Sequence, residues 1–240
     1  MNPSSAVDLF LLLLAVLVIP GLSYSTGRAY GRSGVERSLV GRYWFIIGRG
    51  IVISLLIVGA WRWDNRPYAA LGLDFPIGFR GCLGFVFDAV LCCCYAYALL
   101  LRRLSAERMA VARQRLGAYR ILPQTETEFA LFPLVGIVGS IFEELLYRGF
   151  LIWFFAPFAG IWGAAILSAG FFGLGHTYQG LFGVMRTGVI GFAFAIGYVL
   201  THSLWWLILA HIMISIFGGL YARRLRDGSA RDISVPLAPR

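Results

Sequence analysis

The sequence contains no lysine: its 21 basic side chains are all arginine, set against 12 Asp and Glu and three His. Charge of either sign is scarce, at 14% of 240 residues, with 59% hydrophobic; a soluble domain carries about a quarter charged. That shortage excludes an ordinary soluble fold. The formal net charge of +9 does not point to nucleic acid, because the arginines are spread over several loops without an aromatic-interleaved basic motif. No basic residue precedes the first apolar run, which starts at Ala6 and soon includes Asp8, so an ordinary signal peptide is excluded and the run is expected to be the first transmembrane helix. The His-Glu-x-x-His and Cys-x-x-Cys patterns of common zinc sites are also missing. The four cysteines, Cys82 and the run Cys92, Cys93 and Cys94, are expected to be small buried side chains.

What the chain does have is repeated apolar runs of the length, about 20 residues, that a helix needs to cross a bilayer core of roughly 30 Å. Hydropathy with polar interruptions predicts an all-α, polytopic transmembrane bundle of about seven spans, at 6–23, 43–61, 81–101, 129–154, 158–177, 186–201 and 203–222. One integral membrane domain covering 1–240 is expected. Arginines cluster after the first span (Arg28, Arg32, Arg37, Arg42), after the third (Arg102, Arg103, Arg108, Arg113, Arg115, Arg120) and in the tail at 223–240 (Arg223, Arg224, Arg226, Arg231). The positive-inside rule makes that side cytoplasmic and leaves the C-terminus inside. Arg62, Arg66 and Arg80 on the opposite side run against the rule, with Asp64 and Asp74 among them. Segment 102–127 reads as a cytoplasmic interfacial helix and loop that meets lipid headgroups.

Ionisable groups inside apolar spans are costly, by roughly 2.5–3.5 kcal/mol each on the insertion scale, and are functional candidates for that reason. They concentrate in the second half: Glu143, Glu144 and Arg148, then His176, then His211 with Ser215 one turn on. Glu144 and Arg148 are four apart and share a helix face, in the orientation of a favourable ion pair. Glu143 points about 100° away, so one arginine cannot satisfy both carboxylates. The remaining carboxylate suits general-base work on water, and His176 and His211 supply the hydrogen bonds such a water needs. His202 lies nine residues before His211, on the opposite helix face and at a span end, and is read as interfacial. Asp88, Arg49 and Arg186 are read as structural charges, with Asp88 free to pair with one of the two arginines across helices.

These stretches resemble the motifs of the CAAX-protease and bacteriocin-processing family (CPBP, or Abi). Glu143-Glu144-x-x-x-Arg148, flanked by Tyr147 and Gly149-Phe150, is similar to its first motif, and Phe172-x-x-x-His176 to its second. The third, His-x-x-x-Asn in many members, is met at His211, with Ser215 in place of the asparagine and Ser203-Leu204-Trp205 upstream. The resemblance covers roughly 125–222. It implies an intramembrane endopeptidase in which Glu143 and His176 activate a water, His211 with Ser215 stabilises the oxyanion, and Glu144 and Arg148 hold the site in shape or bind the peptide backbone.

A water held by carboxylate and imidazole needs no metal, so no cofactor is expected. In the zinc-dependent alternative, Glu143, His176 and His211 would be the ligands. The expected partners are a membrane-anchored protein or peptide substrate and the lipid bilayer, with no nucleic acid. The arginine-only basic set suggests a bacterial plasma membrane. Gly31-Arg32-Ser33-Gly34 matches a rhomboid-type serine motif but lies in an arginine-rich loop, where a buried nucleophile is implausible. The alternative from another class is a non-catalytic membrane protein: a proton-coupled transporter using Glu143, Glu144 and Asp88, or an inactive immunity-type relative.

Overall fold

A computed structural model describes residues 5–32, 38–75, 78–101, 105, 107–109, 111–112 and 121–233. Ser5 opens the first helix with a capping box, its hydroxyl accepting from Asp8 N–H while the Asp8 carboxylate accepts from Ser5 N–H. Helix α1 is made of Ala6–Leu13, a π-helical stretch Leu14–Val18, and Ile19–Arg32. Helix α2 is Val40–Trp63, and α3 is Phe79–Ala96 continued by the π-helical Tyr97–Leu101. Among the described residues six helical stretches are long and apolar enough to cross a membrane, one of them the 49-residue run Glu126–Leu174.

That run would extend about 74 Å if straight, more than twice a bilayer core. It breaks at Gly160, where φ 67 and ψ 169 lie in a region that side-chain-bearing residues avoid, three residues after Pro157. The break makes two helices. Helix α4 covers 126–159 and includes the π-helical Glu144–Leu151, and α5 covers 161–174. After a 3-10 turn at Thr177–Gln179 come α6, Gly180–Thr201, and α7, Trp205–Ile233. The count of about seven is therefore borne out, with no strand among the described residues.

The first and last helices run on past their expected ends, to Arg32 and Ile233, and two boundaries beside the site also differ from expectation. The fifth span was drawn to 177, but α5 stops at Leu174, and the sixth begins at Gly180 instead of 186. Hydropathy runs on through Gly173, Leu174 and Gly175, so it does not register the turn. At 14 residues α5 is about 21 Å long, and it packs along α6 as a hairpin. Thr177 Oγ1 donates to Pro20 O at 3.2 Å and Tyr178 N–H to Ser23 Oγ at 3.1 Å, which fastens the hairpin turn to α1.

Helix packing explains several charges. Asp8 is fully buried and receives Arg66 Nη1 and Nη2 at 2.7 and 2.8 Å, and Asp64 also accepts from Arg66. Arg66 stacks over Trp61 and Trp153 and is neutralised in place, which removes one of the exceptions to the arginine asymmetry. At the other end, Thr125 caps α4, and Glu128 accepts from the N–H groups of Leu39, Gln124 and Thr125. That carboxylate ties the starts of α2 and α4 together.

The cysteine expectation fails: all four are exposed on the outside of the bundle, because a lipid-facing surface is as apolar as a core. Asp88 is 3% exposed, and neither carboxylate oxygen has a hydrogen-bond partner among the described residues, so the pairing with Arg49 or Arg186 is not made. His202 is exposed between α6 and α7, in line with an interfacial place. Residues 107–109 and 111–112 are helical, as expected within 102–127. Arg102, Arg103, Arg113, Arg115, Arg120, Arg37 and the Ser33-Gly34 part of the rhomboid-like match lie outside the described residues, as does the tail beyond 233.

Candidate active site

The acidic pair falls where α4 passes into its π-helical stretch, the kind of local widening that recurs at functional sites. Every residue from Glu144 to Leu151 is buried, because this part of α4 is surrounded by α2, α5, α6 and the loop after α2. Glu144 and Arg148 are 0% and 1% exposed, and Arg148 Nη1 donates to Glu144 Oε1 at 2.8 Å. Arg148 also donates to Gly191 O at 3.3 Å and lies over the rings of Phe172 and Phe194. The predicted i,i+4 pair is present.

Glu144 has a second partner that helical spacing could not reveal. His211, on α7, places Nδ1 2.8 Å from the same Glu144 Oε1. A carboxylate held by a guanidinium only accepts, so His211 Nδ1 is the donor. The other ring nitrogen, Nε2, then faces Glu143, 3.7 Å from its Oε2. The two acids therefore differ as expected: Glu144 is enclosed behind the site, whereas Glu143 looks into open space.

That space is a cavity of about 320 Å³ lined by residues of α1, α2, α4, α7 and the hairpin turn. Glu143, His176, His211 and Ser215 all line it, together with Ser140, Tyr147 and Arg49, whereas Glu144 and Arg148 do not. His176 sits just past the end of α5, with Nδ1 2.8 Å from Phe172 O. A carbonyl accepts, so Nδ1 carries the proton and a neutral imidazole presents its Nε2 lone pair elsewhere. The Phe172-x-x-x-His176 spacing thus has a physical meaning: the carbonyl fixes the tautomer while the Phe172 ring packs against His176, His211 and the Arg148 guanidinium.

Ser215 lies one turn beyond His211, where α7 passes close to Gly136 of α4; a methyl at Gly136 would come 3.0 Å from Ser215 Cβ. Ser215 lines the cavity beside His211. Sequence reading missed Ser140 and treated Tyr147 as flanking context. Both stand on the Glu143 face of α4, at three before and four after it, and that spacing was the available signal. As for zinc, no three His, Cys, Asp or Glu side chains come together as a ligand set among the described residues. Glu143, His176 and His211 as placed do not form a zinc ligand set.

The helices and this buried carboxylate–imidazole centre define a multi-pass integral membrane protein with a cavity inside the bundle that carries polar groups on a largely apolar wall. Residues 125–217 match the family model described as Rce1-like, type II CAAX prenyl endopeptidase. No curated protein and no solved structure matches the chain.

Proposed function

We propose that the protein is an intramembrane endopeptidase of the glutamate type, acting on a membrane-anchored protein or peptide. The observation that carries this reading is the convergence of Glu143, His176, His211 and Ser215, from α4, the hairpin turn and α7, on one cavity. A water between Glu143 and His176 Nε2 adds to the scissile carbonyl, and Glu143 takes its proton. His211, donating from Nε2 in its imidazolium form, and the Ser215 hydroxyl hold the resulting oxyanion. The C–N bond then breaks, and Glu143 returns the proton to the leaving amine.

Glu144 and Arg148 act from behind. Glu144 orients His211 by accepting from its Nδ1–H, and Arg148 holds Glu144 in place, an arrangement of acid, imidazole and orienting carboxylate that recurs in hydrolases. The cavity wall includes Thr26, Arg42 and Ile121, which lie near the helix ends where the arginine-rich linkers leave. The reading therefore has the cavity facing that side, which the positive-inside rule makes cytoplasmic, in a bacterial plasma membrane with the C-terminus inside.

The test is a comparison of cell-membrane proteins from strains carrying the wild-type chain and its Glu143→Gln and His176→Ala variants. An uncleaved precursor that accumulates in both variants, and is cut by purified wild-type protein in liposomes, is the expected result. Unchanged processing in both variants removes the protease reading.

A further inference from the structure

The cavity holds a second group of polar atoms that the hydrolytic scheme does not use. Arg49 stands on α2 nine residues from its start, about 13 Å along the helix, where a guanidinium in a membrane protein is costly unless it is given something to bind. It lies over the rings of Phe45 and Phe142, its Nε is buried without a hydrogen-bond partner, and no carboxylate comes within 4.0 Å of it among the described residues. Ser140 and Tyr147, each 1% exposed, likewise have hydroxyls without a hydrogen-bond partner among the described residues. All three line the cavity with Glu143.

We propose that Arg49, assisted by Ser140 and Tyr147, fixes a carboxylate of the peptide substrate and so determines which peptides are cut; this rests on the protease reading of the same cavity. A guanidinium has donors only, and its planar fork matches a carboxylate bidentately. The two hydroxyls add donors on the neighbouring wall. Glu143 is within electrostatic reach of Arg49 and of Tyr147, so an anion bound there sits a short, fixed distance from the activated water. Cleavage would then be selected by a carboxylate, of an acidic side chain or of a chain end, near the scissile bond. A lipid phosphate offers similar chemistry, but sharing the cavity with Glu143 favours the substrate.

Binding is measured on purified full-length protein in detergent, in the Glu143→Gln background so that no turnover intervenes. The probes are a fluorescent hydrophobic hexapeptide with a free carboxyl end, its amide, the amide with one internal Glu, and lysophosphatidylglycerol. At least one acidic peptide is expected to bind about tenfold more tightly than the uncharged amide, the scale of a charge-assisted hydrogen bond. Arg49→Gln should erase that preference while leaving affinity for the uncharged amide in place, and Arg49→Lys should restore part of it. Thermal unfolding of each variant identifies misfolded protein, and Arg49→Lys then carries the comparison.

Equal affinity of the wild-type side chain for all three peptides overturns the proposal. So does an Arg49→Gln variant that weakens acidic and uncharged peptides alike, or an Arg49-dependent affinity confined to lysophosphatidylglycerol. In the otherwise wild-type chain, a shift of the cleavage pH profile by Arg49→Gln with no change in peptide preference also overturns it, since Arg49 would then act on Glu143. Because these binding comparisons need no cleavage, their outcome is separate from whether Glu143→Gln abolishes processing.

Discussion

His211 and Glu144 are joined by a 2.8 Å hydrogen bond between α7 and α4, and this bond sets the direction in which the other imidazole nitrogen points. Replacing Glu144 with Gln keeps the shape of the carboxylate but removes its charge, and weakens the acceptor that orients the His211 ring. The expected result is a fall in kcat with little change in KM, by about 10²–10³-fold, the scale of one lost oxyanion donor. His211→Phe should cost a similar factor, and the double variant no more than the larger single effect, because the two act as one unit. Steady-state cleavage in liposomes checks both statements.

Gly191 is one point at which α6 touches this assembly, beside Phe194. Its carbonyl accepts from Arg148, and a methyl on its Cα would come 2.7 Å from the Phe172 ring. Phe172 cannot retreat without moving the carbonyl that orients His176. Gly191→Ala is therefore expected to destabilise the protein by about 1–3 kcal/mol through overpacking and to lower kcat as well. Gly188→Ala, one turn earlier, meets only Ala169 O at 3.8 Å and serves as the control for helix propensity. Thermal unfolding and activity of the pair give the readout.

The Asp8–Arg66 pair joins the start of α1 to the loop after α2, with side chains 0% and 7% exposed. Removing one member leaves a buried charge uncompensated, a loss of about 3–5 kcal/mol. Arg66→Gln should lower thermal stability accordingly, and Asp8→Asn combined with it should recover part of the loss. Equal stability of wild-type and Arg66→Gln protein in a detergent melt would contradict this account.

Asp88 gives the opposite expectation. A buried acid without a partner costs about 1–3 kcal/mol relative to a satisfied or apolar group, so Asp88→Leu should raise thermal stability while leaving cleavage unchanged. A proton-coupled transporter that used Asp88 with Glu143 and Glu144 would instead lose flux in Asp88→Leu. Stability and flux measured on one preparation separate the two functions.

Hydropathy made the number of helices readable, because crossing lipid imposes a length and a composition on each span. Turns inside the bundle escaped it: Gly173 to Gly175 are apolar whether the helix continues or stops, so the end of α5 was misplaced and His176 with it. The Glu144–Arg148 pair was legible from spacing alone, since both members share one helix. Contacts that join distant segments, such as His211 with Glu144 or Arg66 with Asp8, have no local signature. The cysteines on α3 show a further limit, because a residue facing lipid and a residue facing the core satisfy the same hydropathy.

The hairpin turn that carries His176 hangs on Pro20 and Ser23 of α1 and packs so closely that a methyl at Gly27 would come 2.9 Å from Tyr178 Cα. The position of the His176 imidazole therefore depends on a helix outside the segment that matches the family model. Proteins with identical motifs but different first helices would hold that imidazole differently, so divergence in catalytic rate need leave no trace in the motifs themselves.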